Sequence, residues 1–204
     1  MNADTTPTPK TTITCMSPNI LYGASCYLPG GMQFAADFGV GWRRRFIKLA
    51  EESDLGLSIT DPTDKTRNKN IWFPFLHELG EDQAYAKGLK AKGDWDALTE
   101  YVHSYRRIDL RCVDQADFMV AMIDARIHLC GTYDEVFTAE DQKKPIFAIV
   151  PEGRKNAPDW LFGVVKWQEM FEDIESCVDY LVKINTGKVE LDDRWVLITE
   201  KTLF

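Results

Sequence analysis

Two runs of uninterrupted apolar residues, FMVAMI at 118–123 and PIFAIV at 145–150, flank one intervening stretch of helix-forming length. A strand with one wet face alternates apolar and polar residues. A strand covered on both faces does not, so both runs read as strands buried between layers. Parallel neighbours cannot be joined by a tight turn and need a crossover, which a helix from Thr132 to about Asp141 supplies. This unit confines the chain to the α/β class. It also sets Glu135, early in that helix, near the C-terminal edge of the sheet, outside which open α/β sheets bind ligands.

The rest of the chain fits the same architecture. A strand is predicted within 21–28, closed by Pro29-Gly30-Gly31. From Trp42 the spacing turns helical: Trp42, Phe46, Leu49 and Ala50 share a face, with Arg43, Arg44, Lys48, Glu51 and Glu52 around it. Gly56 ends that helix, and 57–60 reads as a second strand stopped by Asp61-Pro62. The polar-to-aromatic connection 63–77 has no assignable structure. Helices are predicted over 78–91 and 94–107, and in the second Trp95, Leu98, Val102 and Tyr105 form a stripe that reads as core. The tail offers a helix at 177–184 and a strand at 195–199. Strands alternating with helices predict a Rossmann-like three-layer α/β/α sandwich with a mostly parallel sheet. Residues 1–18, rich in Thr and Pro, read as a flexible arm, and 19–204 as one domain.

Composition narrows the function classes. A formal charge of -8 argues against a nucleic-acid polymer as partner, because phosphate binding wants a basic face. The five cysteines are scattered without a C-x-x-C pair, which fits reduced thiols in a cytoplasmic protein. The three histidines lie far apart, so no metal site is expected. No apolar run has membrane-crossing length and no signal-peptide core is visible. Phosphate-loop, complete G-x-G-x-x-G, H-E-x-x-H and G-x-S-x-G motifs are absent, and no cofactor is implied.

Four pieces are expected to meet at the C-terminal edge: the segment from Tyr27 to Gly31, Asp109, Asp117, and the segment from Gly131 to Glu135. Gly30 and Gly31 either let backbone amides approach a ligand or simply make a tight turn. Thr132-x-x-Glu135 has the form of a capping box, and a carboxylate beside a helix N-terminus is equally suited to act as an ionised nucleophile. Asp109 and Asp117 could be general acids or sugar-hydroxyl binders, or solvated caps. Arg43, Arg44 and Arg45, or Arg106 and Arg107, could clamp a phosphate, although arginines at a helix end also answer the dipole.

Taken in order, Tyr27-x-x-Gly30, Asp109-Leu110 with Asp117 eight residues on, Gly131-x-x-x-Glu135 with Ala139, and Lys144-Pro145 resemble the nucleoside 2-deoxyribosyltransferases and the related nucleotide N-glycosidases. The resemblance runs from about Tyr27 to Val150. It implies cleavage or transfer at the N-glycosidic bond of a deoxynucleoside or its 5′-monophosphate. Glu135 would be the nucleophile, Asp109 would protonate or hold the base, and Tyr27 would position Glu135. Gly30, Gly31, Asp117, Gly131, Thr132 and Arg106 would bind substrate. It further implies a homodimer or larger homo-oligomer. Where family members often carry an acid two residues before the glycine of the Glu segment, this chain has Leu129, and Asp124 is a possible substitute. Two other readings stay open: a non-catalytic nucleotide-binding module in which Glu135 is only a cap, and hydrolysis of the nicotinamide–ribose bond of NAD.

Overall fold

Both apolar runs become strands inside a five-stranded, all-parallel sheet. The computed structural model describes residues 19–64, 81–151 and 153–195. The elements are β1 (Ser25–Tyr27), α1 (Val40–Glu52), β2 (Ser58–Thr60), α2 (Glu81–Lys92), α3 (Trp95–Gln115), β3 (Phe118–Met122), α4 (Cys130–Asp141), β4 (Ile146–Ile149), β5 (Met170–Phe171) and α5 (Ile174–Asn185). The strand order is β2-β1-β3-β4-β5. Register pairs Cys26 with Phe118 and Met119 with Ile146. The expected arm, most of the 63–77 connection and residues 196–199 lie outside the described residues.

The side-chain period of two sorts each strand between two cores. Cys26, Leu28, Phe118, Val120, Phe147 and Ile149 join the core closed by Phe46, Ile47 and Ala50 of α1 and Cys177, Val178, Leu181 and Ile184 of α5. Tyr27, Met119, Ala121, Ile146 and Ala148 join the opposite core, closed by Cys112 and Val113 of α3 and Val136 and Ala139 of α4. Each large apolar side chain so buried contributes about 1.5–3 kcal/mol. The layers are helix, sheet, helix, a Rossmann-like three-layer sandwich.

Several boundaries differ from the sequence reading. Helix α3 continues to Gln115 rather than stopping at 107, because 108–115 contains no Gly or Pro to break it; Ala116 turns extended and ends it. Asp109 and Arg106 are therefore helical, not at a helix end or on a loop. The expected aromatic core stripe on α3 is largely exposed: Trp95 is 61% and Tyr105 41% accessible. Tyr101 is the buried ring, and it meets Tyr85 of α2 edge-on at 4.8 Å. Strand β5, two residues long, is too short to carry a periodic signal. Trp195, the first residue of the expected last strand, is buried against Phe118.

After β1 the chain turns outward to β2, while β3 lies on the other side of β1. The crevice between β1 and β3 is the topological switch point of the sheet, the place where such folds bind ligands.

Candidate active site

Tyr27 is the last residue of β1 and is fully buried. Its hydroxyl donates a short hydrogen bond to Glu135 Oε1. Glu135 sits in the second turn of α4 and is 8% exposed. The capping-box reading is not borne out. Helix α4 starts at Cys130 behind Leu129, with no side-chain cap, so Thr132 and Glu135 both lie inside the helix. The glutamate is spent on Tyr27 instead.

The electrostatics around the pair are unusual for a carboxyl group. Burial, joined by the negative charge of Asp109, pushes Glu135 up to about 8, while the Tyr27 hydrogen bond and the Arg43 charge pull it back. Tyr27 rises well above its ordinary value, first through burial and then through the charges of Glu135 and Asp109. Cys112, one turn beyond Asp109, is pushed up to about 12 by burial and by the same two acids. Thus Tyr27, Asp109 and Glu135, expected together from the sequence, lie close enough for the charge of Asp109 to act on the other two.

Asp117 does not join them. It precedes β3 at the N-terminal edge of the sheet, where its carboxylate accepts from the Ser25 backbone N–H at 2.7 Å and the Ser25 hydroxyl at 2.9 Å. Its role there is to tie β1 to β3. Arg106 makes a two-pronged bond to Asp134, at 2.7 and 3.0 Å, on the exposed side of α3 and α4. Gly131 is exposed on the first turn of α4, and Thr132 beside it is buried.

The glycine turn after β1 is shaped by packing. A Cβ on Gly30 would stand 2.9 Å from the Trp42 ring and 3.1 Å from Met122 Cβ; one on Gly31 would meet Ile127 at 2.5 Å and Leu129 at 2.9 Å. Leu129, standing where an acid was expected, is buried against Gly31 and starts α4. Asp124 is paired with Arg126, its two carboxylate oxygens accepting from Nε and Nη2 at 2.8 Å each. Beside this turn a pocket of about 460 Å³ opens, lined among others by Gly31, Phe34, Trp42, Met122, Asp124 and Ile127. The indole N–H of Trp42 is buried without a hydrogen-bond partner. The pocket occupies the switch point; the Tyr27–Glu135 pair lies at the same sheet edge but does not line it.

Arg43 is the residue whose part the sequence reading misjudged. Expected beside the buried face of α1 as a possible phosphate clamp, it is completely buried, its Nε donating to the Leu28 carbonyl at 2.9 Å. Nη1 and Nη2 donate to the Gly39 and Gly30 carbonyls at 2.8 and 3.0 Å. Asp61, just after β2, lies 3.6 Å away, and the Trp42 ring faces the guanidinium at 4.7 Å. The signal was present: Arg43, Phe46, Ile47 and Ala50 repeat at i, i+3, i+4 and i+7. Arg45 is held outside by Glu175 of α5 at 2.8 Å.

Among the described residues no cluster of His, Cys, Asp or Glu could hold a metal ion, and no helix is long and apolar enough to cross a membrane. Cys26, Cys112, Cys130 and Cys177 are free thiols. Fold and site together define an α/β protein with a buried carboxyl–phenol pair beside a switch-point pocket. No protein-family model and no curated protein matches the chain.

Proposed function

We propose that the protein cleaves or transfers the N-glycosidic bond of a deoxynucleoside, with Glu135 as nucleophile. The observation that carries the reading is the buried hydrogen bond from Tyr27 to Glu135 at the sheet's C-terminal edge, 108 residues apart in sequence. A glutamate oxygen attacks the anomeric carbon as the base leaves with its bonding pair, and Asp109 supplies the proton the base needs. Water or a second base then attacks the same carbon, giving its proton to the Asp109 carboxylate as the Glu135 carboxylate leaves. Splitting one substitution into two lowers each barrier. Tyr27 fixes the oxygen that does not attack. The neighbouring pocket, which the pair itself does not line, is within the size range of small-molecule sites and has Phe34 and Trp42 in its wall.

The arginines bear on the choice of substrate. Arg43 is buried on backbone carbonyls, Arg45 is engaged by Glu175 and Arg106 by Asp134. With three of the five candidate clamps committed elsewhere, we favour the nucleoside over its 5′-monophosphate, and transfer over hydrolysis. The test is a panel of deoxynucleosides and monophosphates, with and without free base, assayed for released or exchanged base. Turnover of nucleosides that vanishes in Glu135→Gln is expected. Turnover confined to monophosphates would reverse the substrate choice, and a fully active Glu135→Gln would remove the mechanism.

A second reading, a binding module without chemistry, draws on the 8% exposure of Glu135, since a buried carboxyl–phenol bond can also serve packing alone. Tight nucleoside binding without base release by the wild-type chain would favour it. Nicotinamide release from NAD, assayed in the same panel, would redirect the glycosidic reading to that substrate.

A further inference from the structure

We propose that Arg43 is a positioning residue for Glu135, its buried guanidinium locking the turn after β1 and supplying a fixed positive charge to the carboxyl–phenol pair. The inference rests on the catalytic reading of Glu135 given above, and adds to it a residue that touches no substrate. A guanidinium without exposed surface is costly to desolvate, and its burial holds only while its partners are in place. Here each of the three guanidinium nitrogens donates to a backbone carbonyl, and an acid lies 3.6 Å from Nε.

The three carbonyls are informative in their positions. Leu28 and Gly30 bracket the start of the turn, and Gly39 is its last residue before α1. One side chain therefore staples both ends of the 28–39 loop to the helix that follows it. Along this loop lie Gly31, Phe34 and Asp37 of the pocket wall. Tyr27, which holds Glu135, directly precedes Leu28. A shift of the staple moves the pocket wall and the base of the Tyr27 ring together.

Charge is the second half of the argument. The groups acting on Glu135 are Tyr27 from β1, Asp109 from α3, Asp134 from α4 and Arg43 from α1. Cys112 of α3 acts on Tyr27, Asp61 after β2 acts on Arg43, and Asp134 is itself tied to Arg106. Two of Glu135's four partners are acids and Arg43 is its cation. Without it, burial and Asp109 act on Glu135 with only the phenol opposing them.

Two variants separate the two halves. Arg43→Gln keeps a hydrogen-bond donor and drops the charge; Arg43→Lys keeps the charge and drops the fork. The first readout is the ionisation of Glu135 in the full chain by difference infrared spectroscopy, the band assigned by its loss in Glu135→Gln. Arg43→Gln is expected to move the midpoint up by about one unit, and the pH profile of base release with it. Arg43→Lys is expected to keep the midpoint within a few tenths of wild type but lose at least about tenfold in rate, with faster amide exchange at Gly30, Gly31 and Gly39. A folded Arg43→Gln with an unmoved midpoint overturns the proposal. Should Arg43→Gln not fold, unchanged exchange and rate in Arg43→Lys overturn it. A shifted midpoint in a chain whose wild type releases no base from any nucleoside supports the electrostatic role of Arg43 and sinks the glycosidic reading alone.

Discussion

At the residue scale the chemistry turns on which side of neutrality Glu135 ionises. A carboxyl held up to about 8 is only about one-tenth ionised at pH 7. A nucleophile must be ionised, so base release should climb about tenfold per unit up to neutral pH, roughly fivefold more by pH 8, and level off above that. A rate that falls across the same range would instead make Glu135 a proton donor. Tyr27→Phe removes the hydrogen bond that favours the carboxylate. Its midpoint should rise, and the rate at pH 7 drop by about tenfold for each unit of that rise. The same group links activity to stability. Glu135 holds its proton more tightly folded than unfolded, so its contribution is fully present below its ordinary 4.5 and is lost as pH rises through about 8. Glutamine cannot ionise. Glu135→Gln should therefore melt close to wild type at acid pH, and be more stable than wild type at pH 9 by on the order of a few kcal/mol, as thermal melts across pH would record.

At the scale of elements the loop between β1 and α1 is the most constrained piece of the site. Gly39 has a φ of 74°, and a Cβ there would meet the Gly31 carbonyl oxygen and Arg43 Nη1 at 2.5 Å each. Neither backbone strain nor a backbone oxygen can yield cheaply, so Gly39→Ala should cost about 2–4 kcal/mol and disturb the Arg43 staple. Gly31→Ala meets only the ends of the Ile127 and Leu129 side chains, which can turn aside; about 1 kcal/mol is expected. Denaturant melts of the two variants rank them, and equal losses would mean the loop is not held as described. Helix α4 teaches a related point. Thr132 and Glu135 carry the letters of a capping box, yet the helix begins two residues before Thr132. A capping motif describes what a helix start can use, and the packing of Leu129 against Gly31 chose a different start.

At the scale of the whole molecule, the two edges of the sheet divide the acids the sequence had grouped. Asp109 reaches the Tyr27–Glu135 pair from α3, while Asp117, eight residues on, ties Ser25 at the opposite edge. Asp117→Ala should lower stability by about 1–3 kcal/mol, since it strands a backbone donor, and leave base release per folded molecule unchanged. A loss of rate beyond the loss of folded protein would return Asp117 to the site. The layered architecture was legible in the chain because burial on both faces writes itself locally, as unbroken apolar runs in β3 and β4 and as helical spacing in α1 and α5. Glu135 at the carboxyl edge followed from that order, whereas the partnership of Tyr27 with it was implied only by the family resemblance. The separation of Asp109 from Asp117 was not legible, because it depends on α3 running on to Gln115 and spanning the sheet from one edge to the other. The helical spacing put Arg43 on the buried face of α1, but what makes room for its charge there was not legible. Only the assembled fold brings the carbonyls of Leu28, Gly30 and Gly39 to one point, and three fixed acceptors at that point make the interior a better solvent for a guanidinium than its sequence neighbours could suggest.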